Sequence, residues 1–134
     1  MSYFTHAVTN AYLQDFKDEV TSPATWFLGL YLTKADRDGV GGIEPTVDEY
    51  ERQAVTFDVP ANSLMSNTAT VKFPTPITTG GYGEIVAMGL FLTSDKVTDL
   101  TPRAVLDPPG GSFPMPEGYD REFKTGYITL EFRE

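Results

Sequence analysis

An apolar run that occurs twice limits the possible folds of this chain more than any other feature. The segment TWFLGLYLT spans residues 25–33, and the similar segment VAMGLFLT spans residues 86–93. Nearly every residue in each run is apolar, which predicts β-strands that are covered on both faces. The flanking sequences differ, so a duplicated domain is disfavoured. We predict two central strands in equivalent surroundings that can lie near one another in one sheet. Gly29 and Gly89 would leave room for a large side chain from the facing layer or for close backbone approach.

Shorter strand patterns follow the first run and are separated by turn residues. They are RQAVTFDV (52–59), TATVKF (68–73), RAVL (103–106) and GYITLEF (126–132). In RQAVTFDV either Ala54 or Val55 starts the inward set, and in TATVKF the inward set is Ala69, Val71 and Phe73. Two loops interrupt the strands, an exposed acidic loop over 34–50 and a Pro/Gly-rich loop over 107–120. The pattern predicts a mainly β fold, an antiparallel β-sandwich or open barrel, in a single domain over residues 1–134.

The N-terminal segment, residues 1–22, carries the strongest helix pattern in the chain. Thr9 or Asn10 can cap a helix over TNAYLQDFKDEV, and Ser22-Pro23 disfavours its continuation. An apolar stripe at helical spacing consists of Tyr12, Leu13, Phe16 and Val20. We therefore expect one α-helix in front of the β domain.

Composition excludes several classes of function. The chain has 134 residues, no cysteine, one histidine and a net charge of −9. This charge argues against nucleic acid and against an anionic membrane surface, because no basic cluster exists. Without cysteine, thiolate chemistry and Cys-ligated zinc are excluded, and His6 alone does not make a metal site or a catalytic base. No signal peptide or membrane span is predicted, and we expect a soluble protein.

Two acidic clusters are the remaining candidates for chemistry. Asp36, Asp38 and Gly39 resemble the start of a calcium loop, but the glutamate that such a loop needs six positions after the glycine is absent. Asp48, Glu49 and Glu51 are a formal glycosidase set, although three acids in four residues are more typical of an exposed face. We expect neither catalytic residues, nor metal ligands, nor a cofactor.

Aromatic residues in the loops suggest binding rather than catalysis. Tyr50, Tyr82, Phe113 and Tyr119 can stack on sugars or pack on a neighbouring subunit. We predict that the interface with partners includes Tyr12, Leu13, Phe16, Phe113 and Tyr119, because a small sandwich can leave these positions unburied.

The order of segments resembles a family of small tailed-phage virion proteins that are often labelled tail fibre proteins. The resemblance is carried by SPATWFLGLYLT, YERQAVTF and SNTATVKFP in that order, and by GEIVAMGLFLT and GYITLEF after them. Relatives of that family also serve as head-spike bases or capsid-surface proteins. The stretch DPPGGSFPMPEGYDREF before the last strand is longer and richer in proline than the resemblance predicts.

The resemblance implies a non-enzymatic virion component that is assembled in the host cytoplasm. Its partners would be the major capsid protein or tail and fibre proteins, together with further copies of itself in a homo-oligomer. Capsid decoration or a head-fibre base is the first expectation, and a tail fibre or tail-attachment protein is the alternative. A host-surface glycan-binding module is the second alternative, and a glycan hydrolase acting through the acidic loop is the last.

Overall fold

In a computed structural model of the chain, the described residues are 3–4, 26–57 and 64–131. They form short β-strands and loops, and no helix occurs among them. The strands are β1 (Tyr3–Phe4), β2 (Trp26–Tyr31), β3 (Gln53–Val55), β4 (Leu64–Ser66), β5 (Val71–Lys72), β6 (Gly83–Ile85), β7 (Ala87–Phe91), β8 (Ala104–Leu106), β9 (Phe113–Met115), β10 (Glu122–Phe123) and β11 (Thr129–Glu131). All pairings between these strands are antiparallel, which confirms the predicted fold class.

Of the N-terminal segment 1–22, which was predicted to be helical, the structure describes only Tyr3 and Phe4. Residues Tyr3–Phe4, inside the segment predicted as helical, form β1 and pair with β8. The predicted helix, which would begin after Thr9 or Asn10, lies outside the described residues.

The two apolar runs pair with each other at the centre of a five-stranded sheet. The strand order is β1-β8-β7-β2-β3, and Gly29 lies directly opposite Gly89. A Cβ atom at Gly89 would lie 2.7 Å from Cε2 of Phe91 and 2.8 Å from Cε2 of Tyr31. The prediction of neighbouring central strands is therefore confirmed. The rings over Gly89 come from the same two strands and not, as expected, from a facing layer, because positions two apart in a strand share a face. Over Gly29, a Cβ atom would also meet Oε2 of Glu44 at 2.8 Å and the Tyr50 hydroxyl at 3.1 Å.

The main core lies between one face of this sheet and three two-stranded ribbons. The ribbons pair β5 with β10, β4 with β11, and β6 with β9. The core includes Leu28, Leu30, Met88, Leu90 and Leu106 from the sheet and Val71, Ile85, Met115 and Phe123 from the ribbons. Removal of this apolar surface from water is the main force that holds the two layers together.

The opposite face of the sheet is covered as well. A second buried cluster consists of Tyr31, Ala35, Ala87, Phe91 and Val105. Ala35 belongs to the loop over 34–50, and this loop runs back across the sheet, since a Cβ atom at Gly42 would lie 2.8 Å from Cζ of Tyr31. Parts of the loop are exposed, for example Asp36 and Arg37, whereas Ala35 and Tyr50 are buried. The loop therefore supplies a covering layer as well as an acidic surface.

The alternating segments have the predicted period, with one error. Val55 and Phe57 are buried and Ala54 is exposed, which fixes the register that the sequence left open. Val71 and Phe73 point inward as predicted, but Ala69 is exposed. The inward prediction for Ala69 is wrong because β5 begins only at Val71, and the chain bends at residues 68 and 69.

Candidate functional site

The densest polar arrangement in the described chain centres on Arg52. The Arg52 side chain is fully buried, and that of Glu44 is 12% exposed. Nη2 of Arg52 donates to Oε1 of Glu44 at 2.7 Å, and Nε donates to Oε2 at 3.2 Å. This is a bidentate pair between a guanidinium and a carboxylate, the geometry in which such contacts are strongest.

The remaining donors of Arg52 hold a loop of backbone. Nη1 donates to the carbonyl oxygens of Thr93 at 3.2 Å and Asp95 at 3.1 Å, and Nη2 donates to that of Asp99 at 2.7 Å. The guanidinium also lies 3.4 Å from the centre of the Phe91 ring. The five N–H groups of an arginine are thus all used, so the buried guanidinium has no donor left for a ligand.

Tyr50 connects this ion pair to the central sheet. Its hydroxyl donates to Oε2 of Glu44 at 2.6 Å and accepts the N–H of Leu30 at 2.8 Å. The pairing of β3 with β2 ends at Gln53, which lies opposite Leu28. The Tyr50 hydroxyl therefore accepts the N–H of Leu30, which lies beyond the end of that pairing. Burial, together with the Glu44 carboxylate, raises the pKa of Tyr50 far above its ordinary value. Tyr50 is therefore a neutral structural residue.

The loop over 93–99 is also fixed from its own side chains. Oδ2 of Asp99 accepts the N–H and the hydroxyl of Thr93 at 3.1 and 2.9 Å. Asp95 accepts the N–H of Val97 at 2.9 Å and of Thr98 at 3.1 Å. The Thr98 hydroxyl and these two N–H groups lower the pKa of Asp95. Both carboxylates are thus committed to turn formation.

Glu49 performs the same task for a second loop. Its carboxylate accepts the N–H of Ile77 and Thr78, each at 2.8 Å, and the Thr78 hydroxyl at 2.8 Å. Desolvation opposes the charge, but hydrogen bonds from Thr78, Ile77 and the N–H of Glu49 itself outweigh it and lower the pKa of Glu49 to about 2. A general acid of a glycosidase needs the opposite shift. The carboxylate is suited to holding a turn and unsuited to proton donation.

A family model named Podophage GP4 fiber I protein gp80 matches residues 1–98 of the chain. The chain belongs to this family. It is a phage fibre-type structural protein, a class of virion component. No curated protein and no solved structure matches the chain.

The aromatic residues that the sequence placed in surface loops of this fibre protein are mostly buried. Tyr50, Tyr82 and Phe113 are 0%, 3% and 6% exposed, and Tyr119 is partly buried against the core. The rings of Tyr50 and Tyr82 meet edge to face with centroids 5.5 Å apart. Burial, with smaller contributions from the Glu49 and Glu51 charges, raises the pKa of Tyr82 to about 12. The prediction that these rings lie in surface loops is therefore wrong for Tyr50, Tyr82 and Phe113, whose side chains pack into the core.

The calcium-like segment of the fibre protein is a turn. Oδ1 of Asp36 accepts the N–H of Asp38 at 2.9 Å and of Val40 at 3.1 Å. Gly39 adopts a positive φ of 77° in this turn. Among residues 26–57 and 64–131, no group of three or more His, Asp or Glu side chains could hold a metal ion. The same part of the chain contains no helix that could cross a membrane.

Of the predicted interface residues of the fibre protein, Phe113 and Tyr119 lie among the described residues. Tyr12, Leu13 and Phe16, like His6, lie outside the described residues. Phe113 is in the core, where Arg121 packs with Cζ 4.4 Å from its ring centre, and Tyr119 is partly buried. The interface role of these residues stays a prediction.

Among the described residues, the buried polar side chains of Arg52 and Asn67 were not predicted from the sequence. Arg52 opens the alternating segment RQAVTFDV and looks like an ordinary exposed strand residue. Asn67, which is 1% exposed, donates to the carbonyl oxygens of Ala69 and Lys124 at 2.8 and 3.1 Å and accepts the N–H of Ile128 at 2.9 Å. Its position in the turn-forming stretch SNT indicated a role in a turn but did not indicate burial. Its partners near the C-terminal strand could not be read from that stretch.

Proposed function

We propose that this fibre-family protein is a non-enzymatic part of a tailed-phage virion, a capsid-decoration or head-fibre-base protein that binds the shell and copies of itself. The family match over residues 1–98 is the observation that supports a role in the virion, and the location on the shell rests on the resemblance to relatives that serve as head-spike bases or capsid-surface proteins. The polar clusters support it, since the guanidinium of Arg52 and the carboxylate of Glu49 are engaged in holding loops. Such a protein would be assembled into particles in the host cytoplasm.

A tail fibre or tail-attachment protein is the second candidate. The matching family is named after a fibre protein, and this name favours a location in a fibre of the particle. The glycan-binding alternative loses its support, because three of its four proposed aromatic residues are buried. For either location, the identity of the binding partners and the number of copies in the particle are part of the proposal.

Mass spectrometry of purified particles after stepwise removal of tails tests both location and membership. If the protein decorates the shell, it stays with tail-free heads at an unchanged ratio to the major capsid protein. If it is lost with the tails, the tail candidate is correct. If it is absent from intact particles, the proposal as a whole is overturned.

A further inference from the structure

The loop over 93–99 turns backbone oxygens towards one buried cation. Nη1 of Arg52 lies 3.2 Å from the carbonyl oxygen of Thr93 and 3.1 Å from that of Asp95. Nη2 lies 2.7 Å from the carbonyl oxygen of Asp99, and Oδ2 of Asp99 lies 3.7 Å from Nη1. Carbonyl and carboxylate oxygens that converge on one positive centre are typical of loops that bind a metal ion. In this loop the positive centre is a side chain of the protein itself.

The arrangement of the oxygens fits a flat, forked cation better than a spherical one. A calcium ion holds its oxygen ligands around one point at about 2.3–2.6 Å. Here the acceptors are spread over three nitrogens, because the Glu44 carboxylate accepts from Nε of Arg52 at 3.2 Å and from Nη2 at 2.7 Å. The Phe91 ring packs against the guanidinium, with its centre 3.4 Å from Cζ. Five donors in a fixed fork and a flat face for an aromatic ring are properties of a guanidinium and not of an ammonium.

The guanidinium ties the loop to a distant part of the chain. Within the loop, the carboxylate of Asp95 accepts two N–H groups and fixes the turn internally. The contacts that lead from the loop to Arg52 span 41, 43 and 47 residues. Lys96 adds a further tie, to the carbonyl oxygen of Tyr50. Removal of the guanidinium would take a partner from each inward-turned carbonyl, and such a loss is costly where water does not replace it.

We propose that the loop over 93–99 is shaped around a cation, that Arg52 supplies this cation, and that removal of its side chain leaves a site selective for small alkylguanidinium ions. The inference goes beyond the proposed virion role and does not depend on it. A cation that is part of the chain cannot dissociate, so the loop keeps its shape when the ions of the medium change. Ethylguanidinium is the matching probe, because it contains the atoms beyond Cβ that Arg52→Ala removes.

Titration of the purified full-length variant Arg52→Ala with ethylguanidinium chloride at constant ionic strength tests this inference. We expect the amide resonances of Val97 and Thr98 to shift in the variant and to return towards their original positions as the ion is added. The unfolding equilibrium constant should fall about fivefold when the ion is present at about four times its dissociation constant, because an ion that binds only the folded form shifts the equilibrium in this proportion.

Two controls show whether the effect is local. Lys72→Ala removes an exposed cation, whose side chain is 54% exposed, and ethylguanidinium should stabilise neither this variant nor the unaltered chain, in which the site is filled. The amide resonances of Ile77 and Thr78, which Glu49 holds, should stay in place in every titration.

The remaining outcomes decide against the inference. If ethylguanidinium leaves Arg52→Ala unchanged, the site does not bind the ion and the inference is overturned. Equal rescue by ethylammonium would show that any positive charge suffices, and equal rescue by calcium would show that a spherical ion fits; either result overturns the selectivity.

A second variant carries the test if Arg52→Ala does not fold. Arg52→Lys keeps the charge and most of the stem but lacks the fork. We expect the amide resonances of Val97 and Thr98 to be shifted in this variant, while those of Ile77 and Thr78 are unchanged. Loop resonances identical to those of the unaltered chain would mean that the fork is not needed, and the inference would be wrong.

Discussion

At the scale of single residues, Gly89 and Gly29 decide how the second face of the sheet is packed. They face each other in the β2–β7 register, and the rings of Tyr31 and Phe91 meet edge to face with centroids 6.1 Å apart. The space that a Cβ atom would take at Gly89 is already filled by these rings. Glycine weakens a strand because its β propensity is low, but at this position its lack of a side chain allows the rings to pack closely.

Gly89→Ala should destabilise the protein by about 1–3 kcal/mol, the usual cost of inserting a methyl group into a filled core. Chemical denaturation of the variant and the unaltered chain measures this difference. The double variant Gly89→Ala/Phe91→Leu should be more stable than the sum of its single changes predicts, because the smaller side chain vacates the space. Strict additivity would contradict the packing explanation.

Arg52 is the residue whose loss should cost most in the polar cluster. Arg52→Met removes the cation and leaves the Glu44 carboxylate without its partner. We expect a loss of about 3–5 kcal/mol in the free energy of unfolding, as for other broken buried pairs. The control Lys72→Met removes an exposed cation that lies 4.0 Å from Asp120, and it should change stability by less than about 0.5 kcal/mol.

A further variant separates charge from packing at this site. Arg52→Met/Glu44→Gln has no uncompensated carboxylate, so it should be more stable than Arg52→Met alone. If the double variant is the less stable of the two, the Glu44 charge is not the main source of the loss.

At the scale of elements, the turn that follows residue 76 depends on the ionised form of Glu49. The folded-state pKa is about 2, below the ordinary value of 4.5. Because the folded pKa is depressed, the stabilisation is fully present above pH 4.5 and is lost as the pH falls towards 2. The unfolded chain takes up the proton first, so stability decreases with falling pH over this window.

NMR titration measures the effect locally. The side-chain carboxyl carbon of Glu49 and the amide protons of Ile77 and Thr78 should shift together, with a midpoint at about pH 2. In Glu49→Gln, which lacks the titrating group, the two amide protons should lose this step. A midpoint near 4.5 for Glu49 in the unaltered chain would show that the turn does not depend on the charge.

The elements also show what could be predicted from the sequence. The apolar runs over 25–33 and 86–93 and the inward positions Val71 and Phe73 were predictable, because periodicity and apolar character report burial directly. The burial of Arg52 was not predictable, since its acceptors Thr93, Asp95 and Asp99 lie far along the chain. The loop aromatics were misplaced for a related reason, because Gly- and Pro-rich composition indicates a turn but not the direction of its side chains.

At the scale of the whole molecule, the residues that follow the family match contribute strands to the central sheet and to each of the three ribbons. The match ends at residue 98, and residues 99–134 contain β8 to β11. β8 pairs with β7 in the central sheet, and β9, β10 and β11 each supply one strand of a ribbon. The same segment gives Leu106, Met115 and Phe123 to the main core. The segment with the unexpected prolines is thus integral to the structure.

A chain truncated to residues 1–98 should therefore fail to fold. The ribbon strands β4, β5 and β6 would lose their partners, and short strands without a partner layer are not stable alone. Circular dichroism and the dispersion of amide resonances would show the loss, and addition of a separate 99–134 peptide should restore part of the native signal. The control is a chain divided between Gly110 and Gly111, which are exposed. Breaks at such loop tips are tolerated, so the two pieces should associate and fold. Cooperative unfolding of the isolated 1–98 chain would mean instead that the matched region closes its own core.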